Sequence, residues 1–197
     1  MFSGARSLPL HGNSVLSYLG DRNGHCWGFV YATFCRIKDK GVASLYKELD
    51  SSVDIASQRV FWANVRFWQD ELNHSATFSA VANRFYEQGV DAMEGTSIPY
   101  NDLREIGSRC LSICKIGNNV FFEIELSSCS KRVAHSLGFY STGKEVFIMD
   151  INRGVTSLSC NSFSDRFDAL VRGPLSYLAD PCFDFSHYNI VGYLKRG

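Results

Sequence analysis

At 197 residues, with 45% hydrophobic and 14% aromatic content, the chain is long enough to fold as one well-cored globular domain. Twenty Lys plus Arg balance twenty Asp plus Glu, so there is no basic excess to neutralise phosphates, and nucleic-acid binding is not expected. No stretch reaches the roughly 18 consecutive apolar residues of a membrane span, and the opening MFSGARSLPLHGNS has no apolar run of secretory-signal length. Residues 1–14 read as a flexible leader and 15–197 as a single domain.

Residues 15–19 form a short apolar run, and Gly20-Asp21-Arg22-Asn23-Gly24 is rich in turn formers. From 26 to 38, Trp27, Phe29, Val30, Tyr31, Phe34 and Ile37 surround the segment, which predicts a helix buried in the core. Segments 42–49 and 53–72 read as helices, the second with Phe61, Val65, Trp68 and Leu72 on one stripe. A further helix is expected over 77–88, with Phe78, Val81, Ala82 and Phe85 on one face and Gly89 as its stop. Gly95-Thr96-Ser97-Ile98-Pro99 reads as a connection, and Asn101 as the cap of a short helix reaching Cys114.

Beyond Cys114 the pattern changes. VFFEIEL at 120–126 alternates and is rich in β formers, 133–140 and 145–150 flank a Ser-Thr-Gly-Lys turn as a hairpin, and 188–194 reads as a last strand. One more helix is expected from Ser162 or Ser164 through Phe167, Leu170 and Val171, broken or kinked at Gly173-Pro174 before 175–178. The fold class that follows is α+β, helices first and an antiparallel sheet second.

Seven cysteines, at 26, 35, 110, 114, 129, 160 and 182, suggest no disulfide framework, and a reducing compartment is expected. Cys110 and Cys114 suit one helix face but have no companion Cys or His pair, so neither a metal nor another cofactor is expected. Cys26 differs from the other six. It follows an Asn-Gly turn and opens the buried helix, where unpaired N–H groups and the positive end of the helix dipole stabilise a thiolate.

The hairpin supplies partners for that thiol. Centred on Thr142 and Gly143, it pairs residues whose numbers sum to 285, setting His135 opposite Asp150 with Cβ atoms roughly 4.5–5.5 Å apart. A carboxylate at that distance accepts the imidazole N–H, fixes its tautomer and stabilises its charge. Cys26, His135 and Asp150 are therefore the expected catalytic residues. His25 is a weaker candidate for tuning the thiol, and His11, His74 and His187 read as structural.

These residues resemble the papain-like cysteine peptidases of bacterial effectors, the YopT and AvrPphB type. The matching stretches are Gly24-His25-Cys26, then Ala134-His135-Ser136-Leu137-Gly138-Phe139-Tyr140, then Phe147-Ile148-Met149-Asp150-Ile151-Asn152-Arg153-Gly154, in the family's order of Cys, His and Asp. Ile151 departs from the Pro that usually follows the Asp. The resemblance implies a papain-like fold, with a nucleophile helix packed on a sheet that carries the base and its orienter. It also implies an oxyanion hole with an upstream amide, for which Asn23 is the nearest residue and Asn13 the other candidate. Secretion into a host cell and cleavage of a host protein there, by a monomer acting as a virulence factor, are implied in the same way.

Two other readings stay open. The same three residues serve a glutamine deamidase, a transglutaminase-like enzyme or an acyltransferase, all of which pass through a thioester. Alternatively, the aromatic helices, with Trp62 and Trp68, make a non-enzymatic binding module. Residues 89–100 are the loop expected to shape specificity.

Overall fold

A computed structural model of the protein describes residues 7–8, 24–49, 55–74, 90–92, 96–99, 103–114, 119–128, 134–173, 175–179 and 185–195. Five helices are described: α1 Cys26–Lys40, α2 Val42–Leu49, α3 Ile55–His74, α4 Leu103–Cys114 and α5 Phe163–Arg172. Eight strands form one antiparallel sheet: β1 Ser7–Leu8, β2 Val90–Ala92, β3 Thr96–Pro99, β4 Val120–Ser127, β5 Ala134–Ser141, β6 Glu145–Asp150, β7 Gly154–Ser159 and β8 His187–Lys195. Strands β4 to β7 are a meander, because each pairs antiparallel with the next in sequence. The chain then crosses over through α5, and β8 returns to pair with the far side of β4.

Helices cover both faces of the sheet. Phe29, Phe34, Phe61, Trp62, Val65 and Trp68 of α1 and α3 pack with Phe121, Tyr140, Phe147 and Met149 on one face. Ile106, Phe163 and Phe167 of α4 and α5 pack with Phe122, Leu137, Phe139 and Ile148 on the other. The strand residues divide by alternation, odd against even along each strand, as a pleated sheet buried on both faces requires. The expected stripe on α3 is core, with Phe61, Val65 and Trp68 all buried. Trp62 and Trp68 are each only 4% exposed, so neither is presented to a partner.

Glycine sets two close approaches of α1. A Cβ on Gly28 would overlap the Val65 carbonyl of α3, and a Cβ on Gly138 would lie 2.8 Å from Val30 Cγ1, so both contacts depend on the missing side chain. The nucleophile helix thus sits directly against the strand that carries His135.

The structure departs from the sequence expectations at several points. Thr96–Pro99 is not a connection; it pairs with β8, Thr96 with Ile190 through Pro99 with His187. Its Pro lies at the strand end, where a missing N–H is tolerated. Strand β7, GVTSLS, has no counterpart among the expected strands; it is a strand because β6 pairs along its whole length. The hairpin is also slipped by two residues, pairing Gly138 with Met149 and Phe139 with Ile148, so partner numbers sum to 287. Gly143, with φ of 78°, takes the first central position of the turn, beside Lys144. A turn centred on Thr142 and Gly143 would put a β-branched residue where positive φ is needed.

Past the expected break, Ser176–Ala179 is a 3₁₀ turn. Ser7 and Leu8, within the expected leader, pair with Thr156 and Val155 of β7. The expected helix over 77–88, the run 15–19 and the Asn101 cap lie outside the described residues.

Candidate active site

Cys26 is the first residue of α1, and His25 before it takes the cap position without a side-chain capping bond. The first intrahelical bond runs from Phe29 N to His25 O, at 2.9 Å. The Gly28 N–H, one of the unpaired donors of the first turn, is instead taken by Gln69 Oε1 of α3 at 3.0 Å. Gln69 therefore anchors the start of the nucleophile helix from outside it, a role nothing in its sequence position signals. Cys26 is a free thiol and partly exposed, accessible to a reagent.

His135 is the second residue of β5 and Asp150 the last of β6, so the antiparallel pairing brings both to one end of the sheet. The two-residue slip replaces direct opposition by a diagonal relation. Because the slip is even, both side chains still point to the same face. His135 Nε2 lies 3.2 Å from Asp150 Oδ1, close enough for a charged pair, and Asp150 is only 1% exposed. The Asn152 backbone N–H donates to the same Oδ1 at 2.9 Å, fixing the carboxylate at the strand end. His135 is also in side-chain hydrogen-bond contact with Cys26. With Nε2 engaged by Asp150, Nδ1 is the nitrogen left to the thiol. The structure thus brings Cys26, His135 and Asp150 together.

One participant was not anticipated. Tyr177, in the 3₁₀ turn after α5, donates its O–H to Asp150 Oδ2 at 2.6 Å, and its oxygen lies 3.0 Å from His135 Nε2. Asn152 Nδ2 lies 3.4 Å from the same oxygen, and the Arg153 guanidinium sits 5.2 Å from the ring centroid. Burial, followed by the Asp150 charge, raises the Tyr177 phenol well above its ordinary range, so it remains a donor. The only sequence signal was an aromatic with a polar tip between two core leucines, Leu175 and Leu178.

The electrostatics favour an imidazolium. Burial works against the charge on His135, but hydrogen bonds to Asp150 and Cys26 and the charges of both groups outweigh it, pushing the ring up to about 10. A cation is therefore held beside the Cys26 thiol through the neutral range. Asn23 and Asn13, the candidate oxyanion donors, lie outside the described residues.

No protein-family model matches the sequence, and no curated protein matches it. Among solved structures, the chain is similar to the crystal structure of the Pseudomonas avirulence protein AvrPphB. The TM-score is 0.63 over 96% of this chain and 95% of that one, at 13% sequence identity. The fold is papain-like. At that identity the likeness is one of architecture, with helices packed on an antiparallel sheet across nearly the whole of both chains. Among the described residues, no helix is long and apolar enough to cross a membrane.

Proposed function

We propose that the protein is a cysteine peptidase in which Cys26 is the nucleophile, His135 the general base and acid, and Asp150 the group that orients His135. The observation that carries this reading is His135 Nε2 held 3.2 Å from a buried Asp150 while the same ring contacts Cys26 at the start of a helix. The Cys26 sulfur attacks the peptide carbonyl, and its proton resides on His135. His135 returns that proton to the leaving amine, and water then hydrolyses the thioester. Asp150, locked by Asn152 N–H and Tyr177 O–H, keeps the ring oriented and charged.

The family that the motifs resemble suggests the biological setting: secretion by a bacterium into the host cytoplasm and cleavage of a host protein there. The AvrPphB-like fold agrees with that setting. The backbone N–H of Cys26 and Asn23 would form the oxyanion hole.

The test is alkylation of Cys26 by iodoacetamide at pH 6, read by peptide mass spectrometry, together with analysis of new N-termini in a host-cell extract. In His135→Ala the alkylation rate should fall on the order of 100-fold, because the thiolate is the reactive form. New termini should appear with the wild type and not with Cys26→Ala. Equal alkylation in both proteins, with no new termini, would sink the enzyme reading. Glutamines converted to glutamate in uncut chains would move the assignment to a deamidase on the same residues.

A further inference from the structure

Glu123 of β4 has no part in the proposed chemistry, yet it is a carboxyl group only 5% exposed. Tyr31 of α1 donates its O–H to Glu123 Oε2 at 2.6 Å, and Ser136 of β5 donates its O–H to Oε1. Tyr31 and Ser136 are themselves buried. Each lies close in sequence to a reacting residue. Tyr31 follows Cys26 by five residues, about 7.5 Å along the helix axis. Ser136 is the neighbour of His135.

We propose that Glu123 is a positioning residue for the Cys26–His135 pair: its carboxyl group, gripped by Tyr31 and Ser136, fixes the nucleophile helix against the strand that carries the base. This rests on the reading of those two residues as the reacting pair. Burying a carboxyl group is expensive, and an apolar side chain of similar volume serves stability at least as well. What an apolar contact lacks is direction. Two hydroxyls from two different elements, each aimed at one oxygen of one carboxyl group, define a single placement of α1 along β5, whereas packed methyl groups tolerate sliding. The contact beside it has no such direction, since Gly138 opposite Glu123 offers Val30 of α1 a smooth backbone. Small displacements matter here, because a misplacement of about 1 Å at reacting groups costs on the order of 100-fold in rate.

The experiment measures Cys26 alkylation at pH 7 in Glu123→Met, Glu123→Gln, Tyr31→Phe and Ser136→Ala, each made in the wild type and in His135→Ala, with folding checked by near-ultraviolet circular dichroism. Glu123→Met should slow alkylation about tenfold, Tyr31→Phe and Ser136→Ala should each slow it severalfold, and Glu123→Gln, which can still bridge both hydroxyls, should recover most of the rate. In the His135→Ala background none of these changes should slow it further, because the effect acts through the pair. If Glu123→Met fails to fold, Tyr31→Phe and Ser136→Ala decide the question. Folded variants with wild-type rates would overturn the proposal, as would equal slowing in both backgrounds. Failure of the parent reading looks different, since His135→Ala alone would then leave the rate unchanged.

Discussion

Neighbouring residues of β5, His135 and Ser136, point to opposite faces of the sheet, and each meets a buried carboxyl group there. Asp150 meets an imidazole ring, a phenol O–H and a backbone N–H. Glu123 meets two hydroxyls, and the charge that acts on it, Glu125, has its own sign. The outcomes diverge accordingly. On one face His135 is pushed up to about 10 and the pair is ionic; on the other, burial outweighs the hydrogen bonds from Ser136 and Tyr31 and pushes Glu123 up to about 7. Burial is nearly the same on both sides, so what differs is whether a partner brings charge. A hydrogen bond to an ionised partner is roughly twice as strong as one between neutral groups.

Deleting each carboxyl group in turn tests the contrast most severely. Asp150→Ala leaves a buried imidazolium without its counter-ion and should lower stability by about 3–5 kcal/mol in urea titration at pH 7. Glu123→Met removes a group whose charge is poorly supported and should stay within about 2 kcal/mol of wild type. Similar losses in both variants would break the comparison.

The pH dependence of stability sharpens it. Glu123 is raised from 4.5 to about 7, so between those values the folded state holds the proton more tightly than the unfolded chain. Its cost is absent below the lower value, grows as pH rises through the window, and is complete above the upper one, roughly 3 kcal/mol in all. His135 is raised from 6.5 to about 10, so its contribution is complete below the lower value and is lost as pH rises through the upper one. Denaturation midpoints of wild type should therefore fall across both windows, and Glu123→Gln should flatten the first while sparing the second. A first window unchanged in that variant would mean that another group titrates there.

Tyr177→Phe probes the hydrogen bond on the Asp150 side alone. It removes one hydrogen bond to a charged group, worth about 1.5–3 kcal/mol, and should slow Cys26 alkylation about tenfold through a looser ring. The His135 Nε2–H resonance in proton NMR should shift with it. An unmoved resonance would leave Tyr177 as a packing residue only.

The part of the site that was legible in sequence is the part built from local signals. Cys26 follows a turn and opens a helix, and His135 and Asp150 flank one turn within sixteen residues. The register was mistaken by two, yet the face was right, because a strand alternates with period two and an even slip preserves it. Tyr177 reaches Asp150 from 27 residues further on, across β7 and α5, and no spacing announces such a contact. Glu123 was visible only as a polar position in an alternating strand, which reads as solvent-facing until helices are known to cover both faces. Likewise, β3 and β7 owe their conformation to pairing with β8 and β6, and their own composition argues for loops.

The back-to-back arrangement of His135 and Ser136 also bears on how faithfully the hairpin assembles. A one-residue slip of β5 would turn the imidazole under α1 and the hydroxyl toward Leu137's neighbours, stripping both carboxyl groups of their partners in a single step. In a strand with apolar residues on both faces, hydrophobicity alone distinguishes the two alignments weakly. The polar residues therefore proofread the alignment, so that a β4–β5–β6 sheet in which both carboxyl groups find partners is already one with the imidazole on the correct side.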